Sequence, residues 1–168
     1  AKQSIAGLCE HHQAMAAILA PTVNAYRRLQ PAQLSGYWAN WGYDHRGTTT
    51  SIPDERGAGA RIEFRMADCA ANPYTAVAAT LQAALLGINN DYPLPAPETL
   101  DCLESQSTER HTPDNLAAAL EALTADTALC TAVGQALVDN HVGIKSKEWE
   151  DFVAHTTDWE INYYFDFV

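Results

Sequence analysis

Residues 61–66, Arg-Ile-Glu-Phe-Arg-Met, alternate charged and apolar side chains without a break. In an extended strand successive side chains point to opposite faces, so Arg61, Glu63 and Arg65 share one face and Ile62, Phe64 and Met66 the other. The apolar face demands a core. The charged face reads either as an exposed Arg–Glu–Arg ladder or as the floor of a site that gathers anions. A Gly-rich loop, Gly57-Ala58-Gly59-Ala60, precedes the strand, and Asn72-Pro73 behind it opens a helix.

The neighbouring segments surround this strand with helices. Ile5, Leu8, His12, Met15 and Leu19 recur at spacings of three and four, which predicts a helix over 4–19 that Pro21 stops. His12 lies on that stripe and is expected as a packed histidine, not a ligand. Aromatics, threonines and glycines between Asn24 and Asp68 predict three short antiparallel strands within residues 36–67. The Ala-rich segment 74–88 is apolar nearly all round and is expected to be a buried helix. Residues 89–113 read as loop, Pro113 starts another helix, and Asp126–Glu150 is helical with a bend near Gly143. The aromatic tail Trp149–Val168 is expected to dock on this chain or on a neighbour. The fold class is α+β: an N-terminal helix, short antiparallel strands, then C-terminal helices.

Charge narrows the function. Ten Lys and Arg against 21 Asp and Glu give a net −11, which opposes binding to nucleic acid or to anionic membranes. The four cysteines form no CxxC and suit a reduced, cytoplasmic setting. Thr75–Ile88 is too short to span a bilayer, and the first residues carry no signal-peptide pattern. Neither a Walker A loop nor GxGxxG is present, so a kinase or Rossmann reading has no support.

Several segments together resemble the glutamine synthetase family. Ala20-Pro21-Thr22-Val23-Asn24-Ala25-Tyr26-Arg27-Arg28-Leu29 is similar to its Pro-Thr-x-Asn-Ser-Tyr-Lys/Arg-Arg-Leu segment. Trp41-Gly42-Tyr43-Asp44-His45-Arg46 resembles its Trp-Gly-x-x-Asn-Arg turn. Arg61 to Asp68, followed by Ala71-Asn72-Pro73-Tyr74, resembles its Arg-x-Glu-x-Arg-x-x-Asp…Ala-Asn-Pro-Tyr block. Lys147-Glu148-Trp149 and Thr157-Asp158-Trp159-Glu160 resemble the closing helix of bacterial members, including those similar to gamma-glutamylpolyamine synthetases.

The resemblance implies an ATP-dependent ligase that joins ammonia or an amine to a carboxylate through an acyl phosphate. It implies that Arg28 and Arg65 hold the amino-acid substrate. Arg46 and Arg61 match arginines on the nucleotide phosphates and the transferred phosphoryl, which makes Arg46 the catalytic candidate. Glu63 matches a ligand of a catalytic divalent cation. ATP and Mg²⁺ or Mn²⁺ are the implied cofactors, and arginine forks with a hard cation suit a site that gathers several anions. The expected partners are a small-molecule amino acid, ammonia or an amine, and either a homo-oligomer or a missing N-terminal portion.

Three departures qualify this. Leu34, beside Gln33, occupies the position of a flap glutamate that accepts a proton from the amine, and neither residue can serve as a base. Ser51 falls where the family has a further nucleotide-contacting arginine. Residues 1–168 match only the C-terminal portion of the catalytic domain, so the N-terminal β-domain and the other metal ligands are expected to lie elsewhere. Two functions follow: an incomplete portion of a ligase, inactive alone, or an inert structural protein with the same fold. Five polar residues that offer no packing benefit, Arg28, Arg46, Arg61, Glu63 and Arg65, favour the ligase.

Overall fold

The computed structural model describes residues 1–167; Val168, the last residue of the aromatic tail, lies outside them. The N-terminal stripe folds as two helices, α1 (Lys2–Glu10) and α2 (His12–Leu19). The expected single helix turns at His11, where the backbone ladder continues through His11 N–H to the Gly7 carbonyl at 3.0 Å. The turn brings the His11 imidazole to Asp126, with Nδ1 2.5 Å from Oδ2. His12 is buried as expected: Nε2 lies 2.9 Å from Thr112 Oγ1 and 3.1 Å from the Tyr37 carbonyl. Burial pushes its imidazole down to about 3, against a partial lift from that carbonyl bond.

A short helix α3 (Ala25–Arg28) leads into three strands, β1 (Trp41–Tyr43), β2 (Thr50–Ile52) and β3 (Glu63–Phe64). β2 and β3 pair antiparallel, as expected, with Thr50 opposite Phe64. β1 and β2 pair parallel, with Trp41 opposite Thr50, so the sheet is mixed. A link as short as residues 44–49 ordinarily makes a hairpin. Here Asn40 turns it instead, accepting from Thr50 N–H through its carbonyl and from Thr49 N–H through Oδ1. The third strand is shorter than its alternation suggested, because a 3₁₀ turn at Gly57–Gly59 occupies the approach to Arg61. Its two-sidedness holds: Met66 is fully buried, and Ile62 and Phe64 pack against the core.

Helix α4 (Pro73–Asn89) starts on Asn72, whose side chain accepts from Tyr74 N–H. It crosses α1 at backbone contact, since a Cβ on Gly7 would sit 2.0 Å from the Ala83 carbonyl oxygen. Only Ala79, Ala83 and Gly87 of α4 are buried. The expected all-round burial is therefore corrected: Val77 and Leu81 are each 58% exposed. Helices α5 (Leu116–Ala125), α6 (Thr127–Val133) and α7 (Gln135–Ala154) close the core around Leu116, Leu123, Leu129 and Val138. The break in the 126–150 stretch falls at Gly134, with φ +112°, and not at Gly143, which lies inside α7. Left-handed φ suits glycine, whereas Gly143 simply continues the helix. The tail forms α8 (Asp158–Tyr164) behind a Thr157–Glu160 capping box, with its aromatic side chains largely exposed. Among the described residues no single helix is long and apolar enough to cross a membrane.

Candidate functional site

The charged face of β3 opens onto a polar cleft of about 360 Å³. Arg61, Glu63 and Arg65 form one side; Asp44, His45 and Arg46 come from the turn after β1, and Ser51 from β2. Glu55 and Pro53 complete it from the loop before the 3₁₀ turn. A larger groove of about 530 Å³ lies between α5 and α7, but its charged groups are only Glu121 and Glu150, so it has nothing to hold an anion. The smaller cleft carries the chemistry.

Four of the five expected site residues, Arg46, Arg61, Glu63 and Arg65, meet there. Arg61 bridges two carboxylates, Glu55 at 3.2 Å and Glu63 at 3.7 Å. Arg65 donates to the Arg46 carbonyl and, through Nη2, to the Leu34 carbonyl at 3.1 Å. Arg28 lies outside the cleft. Its guanidinium donates to the Ser35 carbonyl at 3.2 Å and the Met66 carbonyl at 2.9 Å, and its Nε sits 3.6 Å from Asp68.

The turn carrying Arg46 is held from below. His45 accepts from Gly47 N–H through Nδ1 at 3.1 Å and donates through Nε2 to the Leu100 carbonyl at 2.7 Å. Both ring nitrogens are engaged, so His45 lines the cleft without being free to ligate a metal. Ser51, where an arginine was expected, accepts from His45 N–H at 3.2 Å and keeps a buried side chain. Gly47 is pressed on the next loop: a Cβ there would sit 2.6 Å from the Asp101 carbonyl. That loop is organised by Glu98, buried and accepting from Ser107 N–H and Oγ–H, both at 2.8 Å, and from Thr99 and Leu100 N–H, both at 2.9 Å. Burial raises the Glu98 carboxyl, but these bonds outweigh it and hold the group down to about 2.

Sequence reasoning missed Glu98, Glu55, Asp44 and His45. Glu98 sits in a Pro-rich loop that gives no periodic signal, and Glu55 meets Arg61 only because the 3₁₀ turn folds the chain back on itself. For a divalent cation the cleft offers Glu63, half-exposed, with Glu55 and Asp44 nearby. No group of three metal-binding side chains exists among the described residues. The set fits one or two carboxylate ligands of a Mg²⁺ that takes its remaining oxygens from phosphates and water, and it does not fit a complete cage.

The family model for the glutamine synthetase catalytic domain matches residues 1–164. The chain belongs to the glutamine synthetase family. It is 38% identical over 166 residues to the glutamine synthetase of Methanocaldococcus jannaschii, covering 95% of this chain and 37% of the relative. The Thermotoga maritima glutamine synthetase is 32% identical over 166 residues, covering 95% and 38%. Among solved structures, GmaS without ligand superposes with a TM-score of 0.88 at 32% identity, covering 98% of this chain and 38% of that one. The GmaS complex with ADP gives 0.85 at 30% identity, covering 98% and 39%. The chain thus spans about two-fifths of the glutamine synthetases it matches, and the α+β class with helices dominating agrees with these neighbours.

Proposed function

We propose that this chain forms the arginine-bearing side of the active site of an ATP-dependent ligase that joins ammonia or an amine to the carboxylate of an amino acid. The observation that carries this reading is the meeting of Arg46, Arg61, Arg65 and Glu63 in one cleft of an otherwise acidic chain. Arg46 and Arg61 would take the nucleotide phosphates, and Arg46 would stabilise charge on the phosphoryl during transfer. Arg65 would hold the amino-acid substrate from within the cleft; Arg28, outside it and bonded to the Ser35 and Met66 carbonyls beside Asp68, would join it only by giving up those contacts. Glu63 would hold the cation, with Glu55 able to assist. A bound Mg²⁺ or Mn²⁺ would supply charge that neutralises phosphate oxygens.

The reading includes incompleteness. Three arginines face three carboxylates in the cleft, so an anion must compete with internal ion pairs. The chain spans about two-fifths of its relatives, and we assign the remaining metal ligands to the portion it lacks, making the isolated chain inactive in a cytoplasmic homo-oligomeric or two-part enzyme. A second reading, an inert structural relative, is favoured by Leu34, whose half-exposed side chain cannot accept a proton.

NMR titration of the 168-residue chain with Mg·ATP separates the two. The ligase reading expects weak binding, with a dissociation constant of about 1 mM, near 4 kcal/mol. Shifts should concentrate at residues 44–46, 51 and 61–65 and fall at least tenfold in affinity in Arg61→Ala. Turnover with glutamate and ammonia is expected to be absent. Nucleotide shifts that ignore Arg61, or no shifts at all, would leave the inert reading standing.

A further inference from the structure

Arg46 differs from the other two arginines of the cleft. Arg61 is engaged by Glu55 and Glu63, and Arg65 by the Arg46 and Leu34 carbonyls. The Arg46 side chain is exposed and makes no hydrogen bond or ion pair among the described residues, which leaves its charge open to an incoming anion. A side chain this long and this free keeps many rotamers, and only the backbone beneath it limits where the guanidinium reaches. That backbone is tightly set. Asp44 is left-handed, with φ +43°, and Gly47 to Thr50 are buried.

One side chain fastens the turn to a second loop. His45 Nδ1 accepts from Gly47 N–H at 3.1 Å, and Nε2 lies 2.7 Å from the Leu100 carbonyl. An N–H can only donate and a carbonyl only accept, so the ring proton sits on Nε2. The family's Trp-Gly-x-x-Asn-Arg turn has asparagine where this chain has His45. An asparagine amide ends level with Nδ1 and cannot reach Leu100; a glutamine amide ends level with Nε2. Leu100 itself does not line the cleft. Its N–H binds the buried Glu98 carboxylate at 2.9 Å, and Asp101 Oδ1 fixes the next residues by accepting from Leu103 and Glu104 N–H at 3.0 and 3.1 Å. The same loop presses on Gly47, where a Cβ would sit 2.7 Å from Cys102 Cβ. Glu98, Leu100, His45 and Gly47 thus form a continuous hydrogen-bonded path that ends one residue beyond Arg46.

We propose that the loop at 98–107 positions the phosphate-binding turn, and that His45 is the positioning residue whose bond to Leu100 sets the base from which Arg46 reaches a phosphate. The proposal rests on the phosphate-site reading of the cleft and adds control of Arg46 from outside it. His45 touches no phosphate in this role and acts through the Arg46 main chain. A cation held in place meets an anion without reorganisation, so a loosened turn binds phosphate less well even with Arg46 present.

The test compares His45→Asn with His45→Gln in the 168-residue chain, with Arg46→Ala as the floor. Asparagine keeps the acceptor for Gly47 and gives up Leu100. Glutamine keeps the donor to Leu100, while Gly47 stays in place by packing on Asp101 and Cys102. In NMR titration with Mg·ATP, His45→Asn should weaken binding at least threefold, towards Arg46→Ala, and His45→Gln should stay within twofold of the parent. Heteronuclear NOE values at the Arg46 and Gly47 amides, measured without nucleotide, should fall in His45→Asn and hold in His45→Gln. Rescue by glutamine alone separates positioning through Leu100 from a general loss of structure, which would lower both variants alike and overturn the proposal. The reverse order would also overturn it, because the Gly47 bond would then suffice without the loop. Equal order at Arg46 and Gly47 in all these chains would do the same, whether or not nucleotide binds. A parent that ignores Mg·ATP, or binds it independently of Arg61, instead defeats the phosphate reading, and the NOE values still decide whether His45 orders the turn.

Discussion

Replacing Glu98 with Gln removes a charge that no pattern in the sequence marked. Its Oε2 accepts from Ser107 N–H and Oγ–H, and from Asn40 Nδ2 at 3.3 Å; its Oε1 accepts from Thr99 and Leu100 N–H. A glutamine can present oxygen to only one of these groups and turns an NH₂ on the other. At least one buried N–H then loses its acceptor, at a cost of about 1–3 kcal/mol. The pKa gives a second route to the magnitude. A carboxyl lowered from 4.5 to about 2 corresponds to at most about 3 kcal/mol at ~1.4 kcal/mol per unit; screening close to the surface lowers that figure. Both point to about 2 kcal/mol, or a fall in Tm of about 4–8 °C for a chain of this size.

The sign follows from the depressed folded value. The stabilisation is complete above the unfolded pKa near 4.5 and is lost as pH falls through about 2. Urea unfolding of parent and Glu98→Gln at pH 7, 5 and 3 reads this directly. The gap should be at its full size at pH 7 and nearly so at pH 5, and less than half of it should remain at pH 3. Equal stabilities at pH 7, or a gap that ignores pH, would refute the argument.

Two further outcomes follow from packing. Gly87→Ala puts a methyl 2.1 Å from the Gln3 carbonyl and should cost about 3 kcal/mol in thermal denaturation, whereas Gly134→Ala meets nothing within 4 Å, so its cost, about 1–3 kcal/mol, should come from the positive-φ backbone alone. Deleting residues 159–168 removes the exposed Trp159, Tyr163, Tyr164, Phe165 and Phe167; sedimentation velocity should show smaller assemblies with the monomer's helical signal otherwise preserved, and an unchanged distribution would detach the tail from association.

What was legible in the sequence was what period and spacing encode. The alternation at 61–66 fixed which side chains face the core and which face the cleft, because side-chain period in a strand is local. The stripe through Ile5, Leu8, His12, Met15 and Leu19 likewise marked the buried face of α1 and α2. Strand direction was not legible, since a parallel and an antiparallel β1 have the same pattern; Asn40 decides it through bonds to residues nine and ten positions on. Burial of α4 was misjudged for a different reason. Composition reports how apolar a helix is, not which of its faces other elements of the chain pack against. Glu98 and Glu55 were invisible because each acts through a loop whose path is set by distant contacts.

Two of the five polar residues whose presence favours a ligand site also have structural work to do. Arg28 ties the Ser35 and Met66 carbonyls, and Arg65 ties those of Leu34 and Arg46. Between them they fasten the loop at 34–36 to the end of β3 and to the turn after β1. Each uses a guanidinium to reach two carbonyls from one planar group, which a lysine ammonium on its flexible stem does not reproduce. Selection for folding alone can therefore retain Arg28 and Arg65. Arg46, Arg61 and Glu63 tie no distant segments together: the Arg46 side chain makes no hydrogen bond or ion pair among the described residues, Arg61 reaches one carbonyl two residues away, Gly59 at 3.4 Å, and Arg61 and Glu63 otherwise meet charges at a half-exposed surface, where an ion pair contributes little stability. The functional reading rests on these three, and Arg61 is the residue whose replacement separates a ligand site from a scaffold.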